Sequence, residues 1–420
     1  MKHHQILRAR SVRVALAGAA LALTAGACTQ PPTPAGPTGR FVAPTGTDAG
    51  TCATQAAPCK TIGYAASQAT AGQTVHVAAG TYDELVTVDK PLTFRGANAG
   101  KAAGVTPVAR GAESVVKGFR SPSTGAHPAS DQILNVTIDG FRIDPQGDTS
   151  LLSATTKHLV SLFGGTNVTV RNNVFDGGPF DASCAAACTT MTDSAFMVQS
   201  GTFTLANNSF TNFRRPVDIT QTDAVHPIVA GSITGNSFQN VTSRSIWLLD
   251  WTQGGYPGVT VTGNDFDGTS TVGQPDRPAG VVITTGGNVV SENTFTALGS
   301  GVFAEVCNSF WGHPDPAPNQ YLGNEFTGNN SGINYFVVST ADCDPVNGVN
   351  AVITGNDFEG NVTAAVRWNP FGDAAPNDLD ATCNWWGAAT GANTPGADVT
   401  TAGVLTSPWQ TASGGACDGV

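Results

Sequence analysis

Apolar and polar positions alternate in short bursts along the chain, and the bursts recur. Val168-Thr-Val170, Phe203-Thr-Leu205, Val259-Thr-Val261 and Ala351-Val-Ile353 each place apolar or small residues two apart, the period of a strand with one face turned inward. After each comes Asn-x-Phe: Asn173-Val-Phe175, Asn208-Ser-Phe210, Asn236-Ser-Phe238, Asn264-Asp-Phe266, Asn293-Thr-Phe295, Asn324-Glu-Phe326 and Asn356-Asp-Phe358. Successive asparagines lie 35, 28, 28, 29, 31 and 32 residues apart, a repeat length that predicts a solenoid built from one supersecondary unit per turn. A second strand is predicted in each turn, over 217–220, 246–251, 281–284, 302–306, 333–338 and 365–368.

Gly-Asn at 235–236, 263–264, 323–324 and 355–356 suits a sharp corner, because both residues tolerate the left-handed region. Turns stacked at strand spacing, about 4.8 Å, would let corner asparagines bond side chain to side chain and phenylalanines pile inside.

This pattern resembles the right-handed parallel β-helix of the pectate-lyase-like superfamily. The fold expected is therefore all-β, a right-handed parallel β-helix with a short N-terminal capping helix. The stretches Phe41–Asp48, Cys59–Ala66 and Gln73–Tyr82 look like the N-terminal cap of secreted bacterial β-helix proteins, and Ile62, Ala65, Ala66 and Ala69 share one helical face that can plug the first coil. Cys383-Asn-Trp-Trp-Gly387 is similar to the closing motif of many such surface proteins, with Asn384 lying 28 residues after Asn356. The organisation read from the sequence is a signal peptide over 1–27, a tether over 28–39, a cap and first coils over 40–100, the β-helix over 101–387 and a C-terminal cap over 388–420. Residues 120–165 are read less regularly: Val136–Phe141 looks like a coil, and Ser121–Ser130 like an inserted loop.

Composition alters the picture in two ways. Only 12% of residues are charged, against a usual ~25%, and there are 50 glycines and 25 prolines, yet the regular apolar spacing supplies a continuous core and excludes general disorder. The first 13 residues carry Lys2, Arg8, Arg10 and Arg13, and the apolar stretch Val14–Ala27 is too short to span a bilayer, so the beginning reads as an export signal. Its end, Leu23-Thr-Ala-Gly-Ala-Cys28, resembles the bacterial lipoprotein signal, which implies a lipidated Cys28 and membrane attachment through that lipid; with Ala25 where leucine is commoner, ordinary cleavage is the alternative. Either way the protein is expected to be exported, to the cell surface or beyond.

Nine cysteines leave one odd, Cys28 on this reading, and eight to pair in an oxidising compartment. Proximity suggests Cys52–Cys59, Cys184–Cys188, Cys307–Cys343 and Cys383–Cys417. No zinc or copper site is expected, since Cys-x-x-Cys is absent and Cys184 and Cys188 have no nearby histidine. Calcium is the one cofactor considered. Asp342–Asn347 and Asn264–Gly268 offer oxygen ligands, but neither matches a full calcium loop, and Asx turns explain both.

Removing residues 1–27 takes away four positive charges and no negative ones, so the net charge moves from −11 to −15. Nucleic acid is excluded as a partner on that ground. The partner expected is a polysaccharide or another component of the cell envelope.

Aligning the second strands puts Asp218, Trp247, Val282, Phe303, Asn334 and Arg367 in one outward row, with Thr220, Leu249, Trp251, Thr284, Glu305, Phe336 and Asn369 beside it. Trp247, Trp251, Phe303, Phe336 and Arg367 are the carbohydrate-binding candidates, because sugar rings stack on aromatic faces. A long loop such as Thr269–Ala279 or Phe310–Gln320 could instead fold over them. If the face is catalytic, Asp218, Asp250 and Glu305 are its acidic residues and Arg215 its basic one, serving a glycoside hydrolase or a polysaccharide lyase. The Asn-Thr-Asp, Asp-Asp and Gly-His-Gly motifs of polygalacturonase-like relatives are missing, and Asp144-Pro-Gln146 lacks the histidine of alginate-epimerase-like β-helices. The sequence reading therefore favours a binding or structural role over an enzyme.

Overall fold

The computed structural model describes residues 39–122, 135–148, 151, 158–162, 167–184, 191–222, 226–252, 258–306, 318–337, 351–370 and 379–419. These residues form a parallel β-helix with one α-helix among them. The first strands of the coils line up in an 11-stranded sheet, all parallel, running from Gly39–Val42 to Ala351–Thr354. Inward residues stack in register along it, as in Ile233, Val261, Val290, Tyr321 and Ile353, each fully buried or nearly so.

Each regular coil holds three strands, one more than the sequence pattern suggests. The extra one is the Asn-x-Phe segment itself: Ser237–Val241, Asp265–Asp267, Thr294–Thr296, Glu325–Thr327 and Asp357–Glu359 pair coil on coil in parallel. At three residues, most are too short for a period-2 signal. The longer strands begin earlier than predicted, as in Arg244–Asp250, Ala279–Ile283, Ser300–Val306, Ser331–Val337 and Ala364–Pro370, because their small or polar leading residues carry no apolar alternation yet still join the ladder.

The corner asparagines form a continuous ladder. Nδ2 of Asn173, Asn208, Asn236, Asn264, Asn293, Asn324 and Asn356 each donates to Oδ1 of the next rung, ending on Asn384, at 2.9–3.1 Å. Each of these Oδ1 atoms also accepts the backbone N–H of the preceding rung, so the side chains satisfy main-chain donors that the corner removes from the sheet. The residue before each rung, and not the asparagine itself, is left-handed: Gly235, Gly263, Gly323 and Gly355, but also Asn172, Asn207, Glu292 and Cys383. Inside, the rings of Phe175, Phe210, Phe238, Phe266, Phe295, Phe326 and Phe358 stack at centroid distances of 4.7–5.0 Å, and Trp386 closes the column at 5.1 Å from Phe358.

Both ends of the described helix are sealed. The capping helix Ile62–Gln68 starts at Thr61, whose hydroxyl accepts from Tyr64 N, while Glu84 takes the N–H groups of Ile62 and Gly63 at 2.8 and 2.9 Å. Ile62, Ala65, Ala66 and Ala69 are buried. At the other end the Cys383–Cys417 disulfide holds the tail hairpin Trp409–Gln410 and Cys417–Gly419 to the last coil. Cys52–Cys59 is also formed, and Cys184 is disulfide-bonded. Cys28, Cys188, Cys307 and Cys343 lie outside the described residues.

Candidate functional site

The long strands present their outward side chains in the predicted register. Met197 is opposite Asp218, Asp218 opposite Trp247, and the row continues through Val282, Phe303, Asn334 and Arg367. From Asp218 to Arg367 there are five coil steps, roughly 24 Å at strand spacing. That length suits an extended ligand.

Along this face Trp247, Phe303, Glu305, Phe336, Arg367 and Asn369 are partly exposed. The Phe303 and Phe336 rings are stacked on one another, 5.8 Å apart at 28°, and Glu305 is opposite Phe336 in register. Beside them Asn334 is only 7% exposed and its Oδ1 has no hydrogen-bond partner, while Arg367 donates to Asn369 at 3.5 Å. Trp251, just past its strand, is 44% exposed.

At the N-terminal end of the row the structure departs from the expected open surface. Asp218 and Asp250 are 3% and 1% exposed, and outward-facing Leu249 is fully buried, so these positions are covered and their carboxyls are not solvated surface groups. Asp250 is a turn residue: Oδ1 accepts from Thr252 N and Oγ1, at 2.7 and 2.6 Å, and from Gln221 Nε2. Of the two loops considered as covers, Thr269–Ala279 packs through Thr269–Thr271 on the short strand Ser237–Val241 and reaches Asn330 through Arg277. Most of Phe310–Gln320 lies outside the described residues. Asp267 makes an Asx turn to Thr269 N at 2.9 Å, which accounts for one of the oxygen-rich segments; Asp342–Asn347 lies outside the described residues.

Asp218 instead belongs to a buried polar cluster. Asp193 bridges the arginine pair, accepting from Arg214 Nη1 at 2.7 Å and from Arg215 Nη2 and Nε at 2.6 and 2.9 Å, so these arginines are not solvated either. Asp218 Oδ2 lies 3.8 Å from His158 Nδ1 and 4.0 Å from Arg215 Nε. The Arg244 guanidinium lies 3.7 Å from the Trp247 ring centroid and that of Arg215 5.9 Å. Among the described residues, Asp218 Oδ1, His158 Nδ1, Ser161 Oγ and Arg244 Nε are buried without a hydrogen-bond partner. Such atoms are rare in folded proteins and call for an explanation.

Burial and neighbouring charge pull these groups apart. Burial raises Asp218 to about 6, with Arg215 and Arg244 opposing. For Asp193 burial pushes upward too, but Arg215 and Arg214 outweigh it and hold the carboxyl below its usual range. Burial, with Arg215 adding to it, lowers His158 to about 4, and burial lowers Arg244 to about 10 against the pull of Asp218. Near neutral pH the cluster therefore holds a neutral imidazole, an ionised Asp193 and a readily protonated Asp218. His158 and Asp193 were not singled out from sequence. Both lie outside the Asn-x-Phe periodicity, and only the coil register brings them to Asp218.

A family model described as "Protein of unknown function (DUF1565)" matches residues 44–253. Among solved structures, the crystal structure of DFA-IIIase from Arthrobacter chlorophenolicus A6 in complex with GF2 is similar at 13% identity and a TM-score of 0.39, over 80% of this chain and 82% of that one. No curated protein matches the sequence.

Proposed function

The chain belongs to the DUF1565 family of parallel β-helix proteins, and on that premise we propose that it is an exported protein that binds carbohydrate along the outward face of its long strands. The observation that carries this is partly exposed Phe303, in one row with Trp247, Asn334 and Arg367, with its ring stacked on that of partly exposed Phe336 from the row beside it. Ring faces stack on the apolar faces of sugars, and the unfilled Oδ1 of Asn334 accepts a hydroxyl. Trp247 serves mainly through its edge, since Arg244 lies over the ring. A rigid solenoid holds these groups at fixed spacing, which also suits an envelope or adhesion element.

Export is supported by the signal-like beginning and by bridges of the kind oxidising compartments keep. The proposal extends to a lipid on Cys28 as the membrane attachment. Intact-mass analysis of the membrane fraction tests it: a diacylglyceryl adduct on a chain starting at Cys28 supports the anchor, and an unmodified chain cleaved elsewhere refutes it.

One observation favours a catalytic reading of the same face. Glycosidic hydrolysis uses two carboxyl groups in different protonation states, and Asp193 and Asp218 are displaced in opposite directions. Incubation with polysaccharides followed by sizing separates the readings. Polymer bound and shortened only when Asp218 is present supports an enzyme; polymer bound intact supports a binding protein.

A further inference from the structure

Among the described residues Arg244 has no ion pair within 4.0 Å and feels Asp218 only from farther away. Among the described residues no hydrogen bond or ion pair reaches its guanidinium, which rests on Trp247 and is only partly exposed. A desolvated cation left in this state is costly unless something of opposite charge completes it. The two nearest carboxyls do not. Asp193 is engaged by Arg214 and Arg215, and Asp218 makes no ion pair with Arg244 within 4.0 Å; it lies 4.0 Å from Arg215 Nε and 3.8 Å from the neutral His158 Nδ1.

Two further atoms of this cluster are polar, buried and available to a ligand. His158 and Asp218 are each 3% exposed, yet among the described residues Nδ1 of one and Oδ1 of the other have no hydrogen-bond partner. A small group that accepts from Arg244 and bonds to these polar atoms would complete the cluster.

We propose that Arg244, Asp218 and His158 form a binding site for an oxyanion, a carboxylate, sulfate or phosphate group, and that the site fills when Asp218 carries a proton. With Asp218 ionised the anion would meet a carboxylate beside Arg244; with Asp218 protonated it meets an O–H donor. The groups that set this balance come from every strand packed around it: Arg120 and His158 on one side, Asp193 and Ser194 ahead of Met197, Arg214 and Arg215 ahead of Asp218, and Arg244 with Trp247 on the next coil. The raised position of Asp218, about 6, sets where the site should change over. This inference does not rest on carbohydrate binding, because free small anions test it in the absence of any polymer.

The test is isothermal titration of the protein with sulfate and with glucuronate, both of constant charge over the range, at pH 5 and pH 7.5, with glucose as the neutral control. The site predicts binding that is about tenfold or more tighter at pH 5, from the linked proton, and no response to glucose. Arg244→Met should weaken binding roughly tenfold or more, the loss of a charge-assisted hydrogen bond. Asp218→Asn, which keeps a donor at every pH, should bind at both pH values alike. Equal binding of sulfate and glucuronate assigns the site to a bare oxyanion; tighter glucuronate assigns it to an acidic sugar. No binding of either anion at pH 5, binding unchanged in Arg244→Met, or a pH dependence that persists in Asp218→Asn overturns the proposal.

Discussion

Replacing Asn264 with alanine removes one rung from the middle of the ladder. Its Oδ1 accepts the backbone N–H and the Nδ2 of Asn236 at 2.9 and 3.0 Å, and its Nδ2 donates to Ile233 O and Asn293 Oδ1, both at 2.9 Å. Asn236 Nδ2 keeps Leu205 O and Thr234 O, but the Asn236 backbone N–H loses its acceptor. A buried donor left unpaired costs about 1–3 kcal/mol, and the space vacated by a side chain only 2% exposed adds about 1 kcal/mol. Loss of the bond to Ile233 brings the expected total to roughly 3–5 kcal/mol. Thr260→Ala, at an exposed position on the same coil, is the control and should lie within about 0.5 kcal/mol of wild type. Urea unfolding followed by circular dichroism reads both, with the slope showing whether the transition stays cooperative. If Asn264→Ala matched Thr260→Ala at an unchanged slope, the ladder would not be what holds the corners.

Other consequences follow from single positions. Glu292 is held at φ 55 where several other coils use glycine; Glu292→Gly should stabilise by up to about 1 kcal/mol in the same assay, since relief of about 1–2 kcal/mol exceeds the entropic cost of glycine. Cys417→Ser opens a loop closed across 34 residues and should cost about 4 kcal/mol on the chain-entropy model, measured as a fall in urea midpoint. The raised Asp218 contributes stability that is present below pH 3.8 and lost as pH rises through about 6, whereas the depressed His158 makes stability fall as pH drops from 6.5 to about 4. The two slopes oppose each other between pH 4 and 6. His158→Gln should therefore expose a loss of about 3 kcal/mol on raising pH through that window, and Asp218→Asn a loss of about 3 kcal/mol on lowering it, each relative to wild type by urea unfolding; slopes of the same sign would refute the assignment.

The scaffold was legible because every coil must solve the same corner, so Asn-x-Phe recurs wherever the backbone turns. Asn384-Trp385-Trp386 shows how far the pattern reaches: the sequence marks it as a closing motif, and the structure makes Asn384 the last rung and Trp386 the last ring of the phenylalanine column. The outward order of Asp218, Trp247, Val282, Phe303, Asn334 and Arg367 was legible for the same reason, since register follows from the repeat. Burial on that face was not. Alternation says that Leu249 and Asp218 point outward, but not that other parts of the chain enclose them. His158 and Asp193 were hidden for a different reason: they occupy unequal positions on irregular coils, and parallel pairing alone brings these two residues, 35 apart in sequence, beside Asp218.

The measurement that tests the central claim most directly is retention of the protein on a panel of insoluble or immobilised polysaccharides, neutral and acidic, with recovery and sizing of the polymer. The paired variant Phe303→Ala/Phe336→Ala removes the stacked aromatic pair while leaving the inward core intact. The account predicts that wild type is held by at least one polysaccharide and that the paired variant is released from it. Failure of every polysaccharide to retain the protein, or equal retention of the paired variant, would contradict a carbohydrate-binding face on the long strands.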